Sequence, residues 1–543
     1  MSNHSTSNEY FTIGTWHRTN NRRSYSCSTT ERTIGSMRSA LLACLLLSST
    51  ALCASSKRPN FLVLFADDMG YGDMSCTGHP TLKTPNIDRL AADGMRFTQW
   101  YSAFHVCSPS RAAMLTGRLP IRSGTVGQGW TGGVFRSDAV GGLPRNETTF
   151  ASLLQSAGYR TGMIGKWHLG QREEFMPTSH GFEEYYGIPY SVDMGASAWD
   201  AAGGNPTPLP LVRNLTVVEQ PVDLDTLTDR YANEAVEFFK RNKDEDWVMY
   251  LSWGHMHVPN FANKVHCNQT RRGRYGDAIL EMDSGFGTVL EGLHSLGLEE
   301  NTIVFFTSDN GPWLTKEIQG GSAGHLRDGK ETTWEGGVRV PGIVRWTGHV
   351  AAGQINQEVV ATYDIFSTML AQAGVEEPKD RVIDGRDMTD ILLHPGKSKT
   401  HHECVFIYKG HPEGPDKPGL WAIRCGAYKL HYFTSNWENP TDAVKHDPPL
   451  LFQIENDPSE RYPVDPLSGV YQAQRAIIEA AKSAHEKTVE DVPNQMALGS
   501  DPTYALCCDP NSSKKHPQFM NCTCNPHNWN AFVCAPLDPT YQF

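Results

Sequence analysis

The sequence predicts an α/β fold in which a large, mostly parallel sheet is flanked by helices, followed by a smaller C-terminal α+β domain containing an antiparallel sheet. Two observations predict the first part. Four short apolar runs each end in polar residues suited to chemistry, and helical patterns lie between them. The third observation is a change of pattern around residues 375–400, where Pro378, Gly385 and Pro395 interrupt it.

In chain order, Phe61–Phe65 ends at Asp67-Asp68, Tyr159–Ile164 at Lys166 and His168, Trp247–Ser252 at His255 and His257, and Thr302–Thr307 at Asp309-Asn310. These runs, rich in Val, Ile and aromatics, read as buried strands. Asn86–Ala91 and Thr149–Gln155 read as helices, and a longer helix runs from about Tyr275 to Leu296 with Ile279, Met282, Phe286, Val289, Leu290 and Leu293 on one stripe. In parallel sheets of this kind ligands sit beyond the carboxyl ends of the strands, and all four polar clusters occupy that edge. Past the boundary, Glu403–Tyr408 and Gly419–Tyr432 read as antiparallel strands, with a helix over Gln472–Thr488 packed on them. The expected division is a catalytic domain over 57–395 and a C-terminal subdomain with a cysteine-rich tail over 396–543.

With 543 residues, 39% of them hydrophobic and 10% aromatic, the chain can bury a sizeable core in two or three domains. A net charge of −12 argues against a general binder of nucleic acid or anionic membranes, so an anionic substrate needs a local basic cluster working against the global charge. Met37–Ala54 resembles a secretory signal peptide: Arg38 precedes the apolar run Ala40–Leu47, and small residues follow. It is too short to span a bilayer as a helix, and no other apolar run is long enough. Residues 1–36 are polar and patternless, and translation from Met1 or from Met37 both fit. Sequons at Asn146, Asn214, Asn268, Asn511 and Asn521 suit a glycosylated secretory product. In an oxidising compartment most of Cys76, Cys267, Cys404, Cys425, Cys507, Cys508, Cys522, Cys524 and Cys534 should pair, with at least one left over. The C-terminal group lacks the paired spacing of a zinc site and reads as a disulfide knot.

Asp67, Asp68, Asp309 and Asn310 offer only oxygen ligands, which favours calcium or magnesium over zinc. Adjacent aspartates at a strand end are otherwise often solvated; the second cluster after a second buried strand tips the reading, since clustered carboxylates need a cation to offset their repulsion. His255 and His257 taken singly read equally well as core histidines, Lys330 as a solvated loop residue and Lys166 as half of a surface ion pair.

Cys107-Ser108-Pro109-Ser110-Arg111 is followed by Thr116-Gly117-Arg118. A lone cysteine beside a helix start is by default buried or disulfide-bonded, but this run resembles the modification signal of the sulfatase family, C-x-P-S-R followed by T-G-R, at every defined position. Other matching stretches are Ala66–Asp73, Gly165–Gly170, Gly187–Ser191, Phe306–Gly311, Gly329–Arg339 and the tail from Pro448 through Cys508, so that the resemblance covers nearly all of residues 58–543. It implies an alkaline-phosphatase-like fold and sulfate ester hydrolysis. It also implies oxidation of Cys107 to formylglycine by a formylglycine-generating enzyme, and calcium held by Asp67, Asp68, the oxygen on residue 107, Asp309 and Asn310. Arg111 and Lys166 would position the modified residue, while His168, Ser191, His257 and Lys330 line the sulfate site. In the chemistry so implied, one hydroxyl of the aldehyde hydrate attacks sulfur, with Asp309 a proton acceptor. His257 or Lys330 protonates the departing alcohol, and His168 takes a proton from the second hydroxyl to expel sulfate.

Arylsulfatases of the family can carry a cysteine-rich insert after the segment matching Ser191. Here Val192–Leu211 has no cysteine and reads as a Gly/Pro-rich loop at the pocket mouth, so substrate preference is not transferable. The expected substrate is a sulfated small molecule, glycan or glycolipid, and the expected location is the secretory pathway, lysosomal or extracellular. Two other functions stay open at this point: a phosphoesterase of the same superfamily, and a secreted protein that binds sulfated polysaccharide in extracellular matrix.

Overall fold

The computed structural model describes residues 57–127, 133–195, 208–412 and 419–508. The expected leader at 37–54, the extension before it, the sequons at Asn511 and Asn521, and Cys522, Cys524 and Cys534 lie outside the described residues.

The principal sheet is built from β1 (Asn60–Ala66), β2 (Met95–Tyr101), β3 (Arg160–Gly165), β4 (Glu184–Gly187), β5 (Leu211–Arg213), β6 (Thr216–Glu219), β7 (Trp247–Ser252), β8 (Thr302–Ser308), β9 (Arg339–Trp346) and β10 (Gln354–Ala361). Their order across the sheet is β10-β2-β9-β8-β1-β7-β3-β4-β5-β6. All four expected strands stand side by side as the parallel centre β8-β1-β7-β3, in the register Phe61↔Val248 and Phe61↔Ile303. Around that centre the sheet is more mixed than expected. Strand β9 runs antiparallel to both β8 and β2, and β5 and β6 extend the far edge antiparallel.

The strand alternation divides the core into two layers. Phe61, Val63, Phe65, Val248, Tyr250, Ile303 and Phe305 point to one face. There they meet helices α2 (Cys107–Thr116), α3 (Phe150–Ser156) and α6 (Asp364–Ala373). Leu62, Leu64, Met249, Leu251, Val304 and Phe306 point to the other. They meet α1 (Pro85–Asp93), α4 (Leu224–Arg241) and α5 (Arg274–Ser295). Each such fully buried side chain contributes about 1.5–3 kcal/mol. Helix starts are satisfied locally: Thr149 closes a capping box with Ser152 at the head of α3. The Asp283 carboxylate of α5 accepts from the Asn86 and Ile87 N–H groups at the head of α1.

The second sheet is fully antiparallel: β11 (Cys404–Tyr408), β12 (Leu420–Cys425), β13 (Tyr428–Thr434) and β14 (Val444–Gln453). The expected segment Gly419–Tyr432 is two strands joined by a turn at Gly426. Cys404 and Cys425 face each other across β11 and β12 and form a disulfide, and Tyr471 and Ile478 of helix α7 (Gly469–Glu486) pack on Ile423 and Leu430. Cys267, Cys507 and Cys508 are also disulfide-bonded, whereas Cys76 and Cys107 are free thiols. Among the described residues no helix is long and apolar enough to cross a membrane.

Candidate active site

Each cluster sits where a central strand ends. Beyond β1, the Asp67 N–H donates to the His255 carbonyl at 2.7 Å and Asp68 turns sharply with φ 59°. That turn aims the Asp68 N–H at Asp309 Oδ1, 3.1 Å away at the end of β8, and the next N–H, of Met69, donates to Ser308 Oγ at 2.9 Å. At the end of β3, Gly165 has φ 105° and lies so close to β7 that a Cβ there would stand 1.8 Å from the Ser252 carbonyl oxygen. Lys166 follows and is fixed by its own N–H donating to that same carbonyl at 2.7 Å.

Helix α2 is buried at every position, and Cys107 is its first residue. Arg111 lies one turn on, on the same face. Its Nε and Nη2 donate to Asp309 Oδ2 at 3.0 and 2.6 Å, Nη2 lies 3.3 Å from Asp67 Oδ1, and Nη1 donates to Ser252 Oγ at 2.6 Å. Lys166 Nζ donates to Asp67 Oδ2 at 2.5 Å and to Ser191 Oγ at 3.3 Å. Lys330 Nζ donates to Asp68 Oδ1 at 2.6 Å and lies 3.5 Å from Cys107 Sγ. His257 Nε2 is 3.8 Å from Asp68 Oδ2. His168 lies near enough to Lys166, Arg111, His257 and Lys330 for their charges to act on it. The structure thus brings every expected site residue into one buried cluster, with Asn310 Nδ2 donating to Asp68 Oδ1 at 2.8 Å. His255 faces away: its ring packs on Phe261 and its Nε2 is 3.6 Å from Glu281.

The charges are arranged to hold some carboxylates ionised. Burial alone would raise Asp67, but Lys166 and Arg111 outweigh it and hold the carboxyl down at about 2. Burial would likewise raise Asp68, and Lys330 with His257 brings it below the ordinary value. Asp309 is raised, by burial and then by the neighbouring Asp67 charge. The Cys107 thiol is pushed well up by burial and by Asp309, so an unaltered cysteine here is a protonated, weak nucleophile. Burial, then Lys166 and Arg111, holds His168 well below the usual imidazole range. The His168 Nε2 faces the Phe135 carbonyl at 3.0 Å, and a carbonyl only accepts. The proton is therefore on Nε2, and the lone pair is on Nδ1, which is buried without a partner among the described residues. By the same reasoning His257 Nδ1 donates to the Val258 carbonyl at 2.7 Å and leaves Nε2 toward Asp68.

Ligand atoms of Asp67, Asp68, Cys107 and Asp309 all lie within 4.8 Å of one another. Asp68 Oδ2 and Asn310 Oδ1 are buried and without hydrogen-bond partners among the described residues. Two orphaned oxygens in a carboxylate cluster fit a hard cation.

Several contributors escaped sequence reasoning. Ser252 ends an expected strand on the right edge and could have been found by that placement. Asp193, 3.7 Å from His257 Nδ1, lies in the loop expected at the pocket mouth. Trp313 lies 5.3 Å from the His257 ring, centroid to centroid, and Lys409 follows directly on β11 of the second sheet; neither carried a sequence signal. Lys409 Nζ donates to the Glu331 carbonyl, while the Glu331 N–H donates to the His105 carbonyl at 3.0 Å and the Lys330 N–H to the Pro312 carbonyl at 2.9 Å. The backbone on either side of Lys330 is thereby clamped.

Likeness to known proteins agrees with this architecture. The chain is 38% identical over 515 residues to human arylsulfatase A, covering 89% of this chain and 99% of that one. It is 37% identical over 490 residues to mouse N-acetylgalactosamine-6-sulfatase, covering 84% and 91%. The solved structure of the PsFucS1 sulfatase from Pseudoalteromonas sp. superposes with a TM-score of 0.70 at 30% identity, over 80% of this chain and 92% of that one. A family model for the C-terminal region of aryl-sulfatase matches residues 400–524. Because the Sulfatase family model itself matches residues 59–375, the span that holds the whole buried cluster, the chain belongs to the sulfatase family of sulfuric ester hydrolases.

Proposed function

We propose that this sulfatase cleaves sulfate esters of sulfated glycans or glycolipids by a formylglycine hydrate at position 107 beside a bound calcium ion. The observation that carries this reading is the position of Cys107: a buried helix-start residue whose Sγ lies 3.5 Å from Asp67 Oδ1 and 3.5 Å from Lys330 Nζ. A thiol is ill suited to that place, since burial and Asp309 keep it protonated. Oxidised to an aldehyde and hydrated, the side chain offers one hydroxyl to attack sulfur and a second whose deprotonation expels sulfate; a plain serine ester lacks that exit.

Asp67, Asp68, Asp309, Asn310 and the oxygen on residue 107 would hold the calcium, with magnesium the lesser alternative. The cation would neutralise the carboxylates and polarise the oxygens brought to it. Arg111 and Lys166 position residue 107 through their ion pairs with Asp309 and Asp67. Lys166, Ser191, His257 and Lys330 hold the sulfate and stabilise charge developing on the leaving oxygen. The neutral His168, with its lone pair on Nδ1, accepts the proton that must leave for sulfate to be expelled. Asp309, raised by burial, is suited to take the first proton.

The Cys404–Cys425 disulfide and the exposed sequons at Asn146, Asn214 and Asn268 support a secretory-pathway product, lysosomal or extracellular, matured by a formylglycine-generating enzyme. Binding of sulfated polysaccharide without turnover is the alternative, and the intact cluster of acids and bases disfavours it.

The deciding experiment uses protein from a eukaryotic secretory host. Mass spectrometry of the tryptic peptide spanning residue 107 should report an aldehyde in place of CH2–SH, and hydrolysis of a small aryl sulfate should vanish in Cys107→Ala. Fully active protein that retains the thiol, or equal hydrolysis by both proteins, sinks the proposal.

A further inference from the structure

The net charge of −12 leaves the recognition of an anionic substrate to local groups, and Arg111, Lys166 and Lys330 are each paired with a carboxylate of the cluster. One cation outside it is different. Lys316 has no carboxylate partner among the described residues, and its Nζ rests 4.2 Å from the centroid of the Trp313 ring. The same indole lies 4.3 Å from Lys330 Nζ and 5.3 Å, centroid to centroid, from the His257 ring. Lys330 and Lys316 are therefore no further apart than the sum of their distances to one ring. The first belongs to the sulfate cluster. The second is only partly buried, on the short helical turn Leu314–Gln319 that follows Trp313.

This turn is held in place. The Lys316 N–H donates to the Trp313 carbonyl at 3.0 Å, the Gly320 N–H to the Glu317 carbonyl at 3.0 Å, and Glu317 sits at φ 51° to close it. The segment begins directly after Asn310 and Gly311, so the chain that supplies a candidate metal ligand also sets the indole beside His257 and Lys330. In the proposed chemistry those two residues stabilise charge on the leaving oxygen, which would place the alcohol on the side of the site where Trp313 stands.

We propose that Trp313 and Lys316 form the subsite for the alcohol part of the ester, and that its preferred occupant is a sugar bearing a second anionic group near the scissile sulfate. The inference rests on the sulfatase reading and narrows its substrate class. The indole supplies an apolar wall for the carbon-bound hydrogens of a pyranose ring. The ammonium supplies one charge-assisted contact to a second sulfate or a carboxylate on that ring or the next. A neutral aryl or sterol alcohol would use the wall and leave Lys316 idle.

The test compares hydrolysis of a hexose disulfate with that of the monosulfate of the same hexose, as the ratio of their kcat/KM values. The wild type should favour the disulfate, and Lys316→Ala should lower that ratio about tenfold, the size of one lost charge-assisted contact, chiefly through KM. Lys316→Glu should lower it further, and Lys316→Arg should restore it. Trp313→Ala should raise KM for both sugars. A wild type with no preference, or a ratio unchanged within about twofold in Lys316→Ala and Lys316→Glu, overturns the subsite while leaving the sulfatase reading intact. A wild type that cleaves neither sugar nor a small aryl sulfate overturns both.

Discussion

Lys330 Nζ stands 2.6 Å from Asp68 Oδ1 and 3.5 Å from Cys107 Sγ, so one ammonium bridges a candidate metal ligand and the candidate nucleophile. Burial would depress this lysine, but Asp68, with Asp67 and Asp309 behind it, raises it well above the ordinary value, and it stays cationic. Lys330→Ala should lower kcat/KM for an aryl sulfate by about a hundredfold or more, the usual loss for one preorganised electrostatic contact. It should also cost about 3–5 kcal/mol in urea unfolding without added metal, because the buried Asp68 carboxylate loses its nearest cation. Wild-type stability in that variant would show that the pair is not formed.

Metal removal follows from the carboxylates. Asp67, Asp68 and Asp309 crowd within one cluster, and Arg111, Lys166 and Lys330 already balance them, yet Asp68 Oδ2 and Asn310 Oδ1 remain buried and unpartnered. Dialysis against EGTA should abolish activity and lower Tm, and calcium should restore both, magnesium less well. Asn310→Ala should shift the calcium titration to higher concentration by about tenfold or more. Activity and Tm indifferent to chelation would rule out a required cation.

The central strands were legible because each is a short, uninterrupted apolar run with a chemical residue at its carboxyl end, and a parallel sheet puts such ends on one edge. Thus Asp67, Lys166, His257 and Asp309 converge as read. Strand β9 was not legible: its Pro341-Gly342 pair signals a break. The structure absorbs it where the β2 register shifts between Phe97 and Trp100, and Gly342 makes room for the Trp100 ring, which a Cβ would meet at 2.4 Å. That antiparallel strand, together with β5 and β6 at the far edge, is why the sheet is more mixed than expected. Trp313 and Lys409 were hidden for a different reason. Each acts through a contact made by tertiary folding, with nothing periodic around it to mark it.

Gly311 follows Asn310, and a Cβ at Gly311 would lie 1.8 Å from the Gly336 carbonyl oxygen, a backbone atom that cannot turn aside. The Gly311 N–H also donates to the Gly337 carbonyl at 3.0 Å, tying this turn to the segment after Lys330. Gly311→Ala must push the two segments apart. The expected cost is about 1–3 kcal/mol of stability, as for other overpacked sites, with a weaker calcium response because Asn310 moves with the turn. Urea unfolding and calcium titration of the variant check both, and a wild-type calcium midpoint would show that the turn does not position Asn310.

Lys409 gives the pH dependence. It is buried directly after β11, its Nζ 5.6 Å from the centre of the Trp421 ring, and burial lowers its pKa from 10.5 to about 7, with Glu331 opposing only in part. The folded protein therefore releases this proton near pH 7, whereas the unfolded chain keeps it to about 10.5. Between those values the unfolded state binds more protons, so stability rises with pH. Below about 7 both states hold the proton and the full cost of burying the charge remains. Lys409→Met removes the group and with it this part of the slope. Urea unfolding from pH 6 to pH 9 should show the wild type gaining on Lys409→Met as pH rises, by about 1.4 kcal/mol per pH unit at most above the folded pKa. Because the same ammonium holds the Glu331 carbonyl beside Lys330, Lys409→Met should also lower kcat severalfold at fixed pH. Parallel stability curves for the two proteins would show that Lys409 does not titrate in this window.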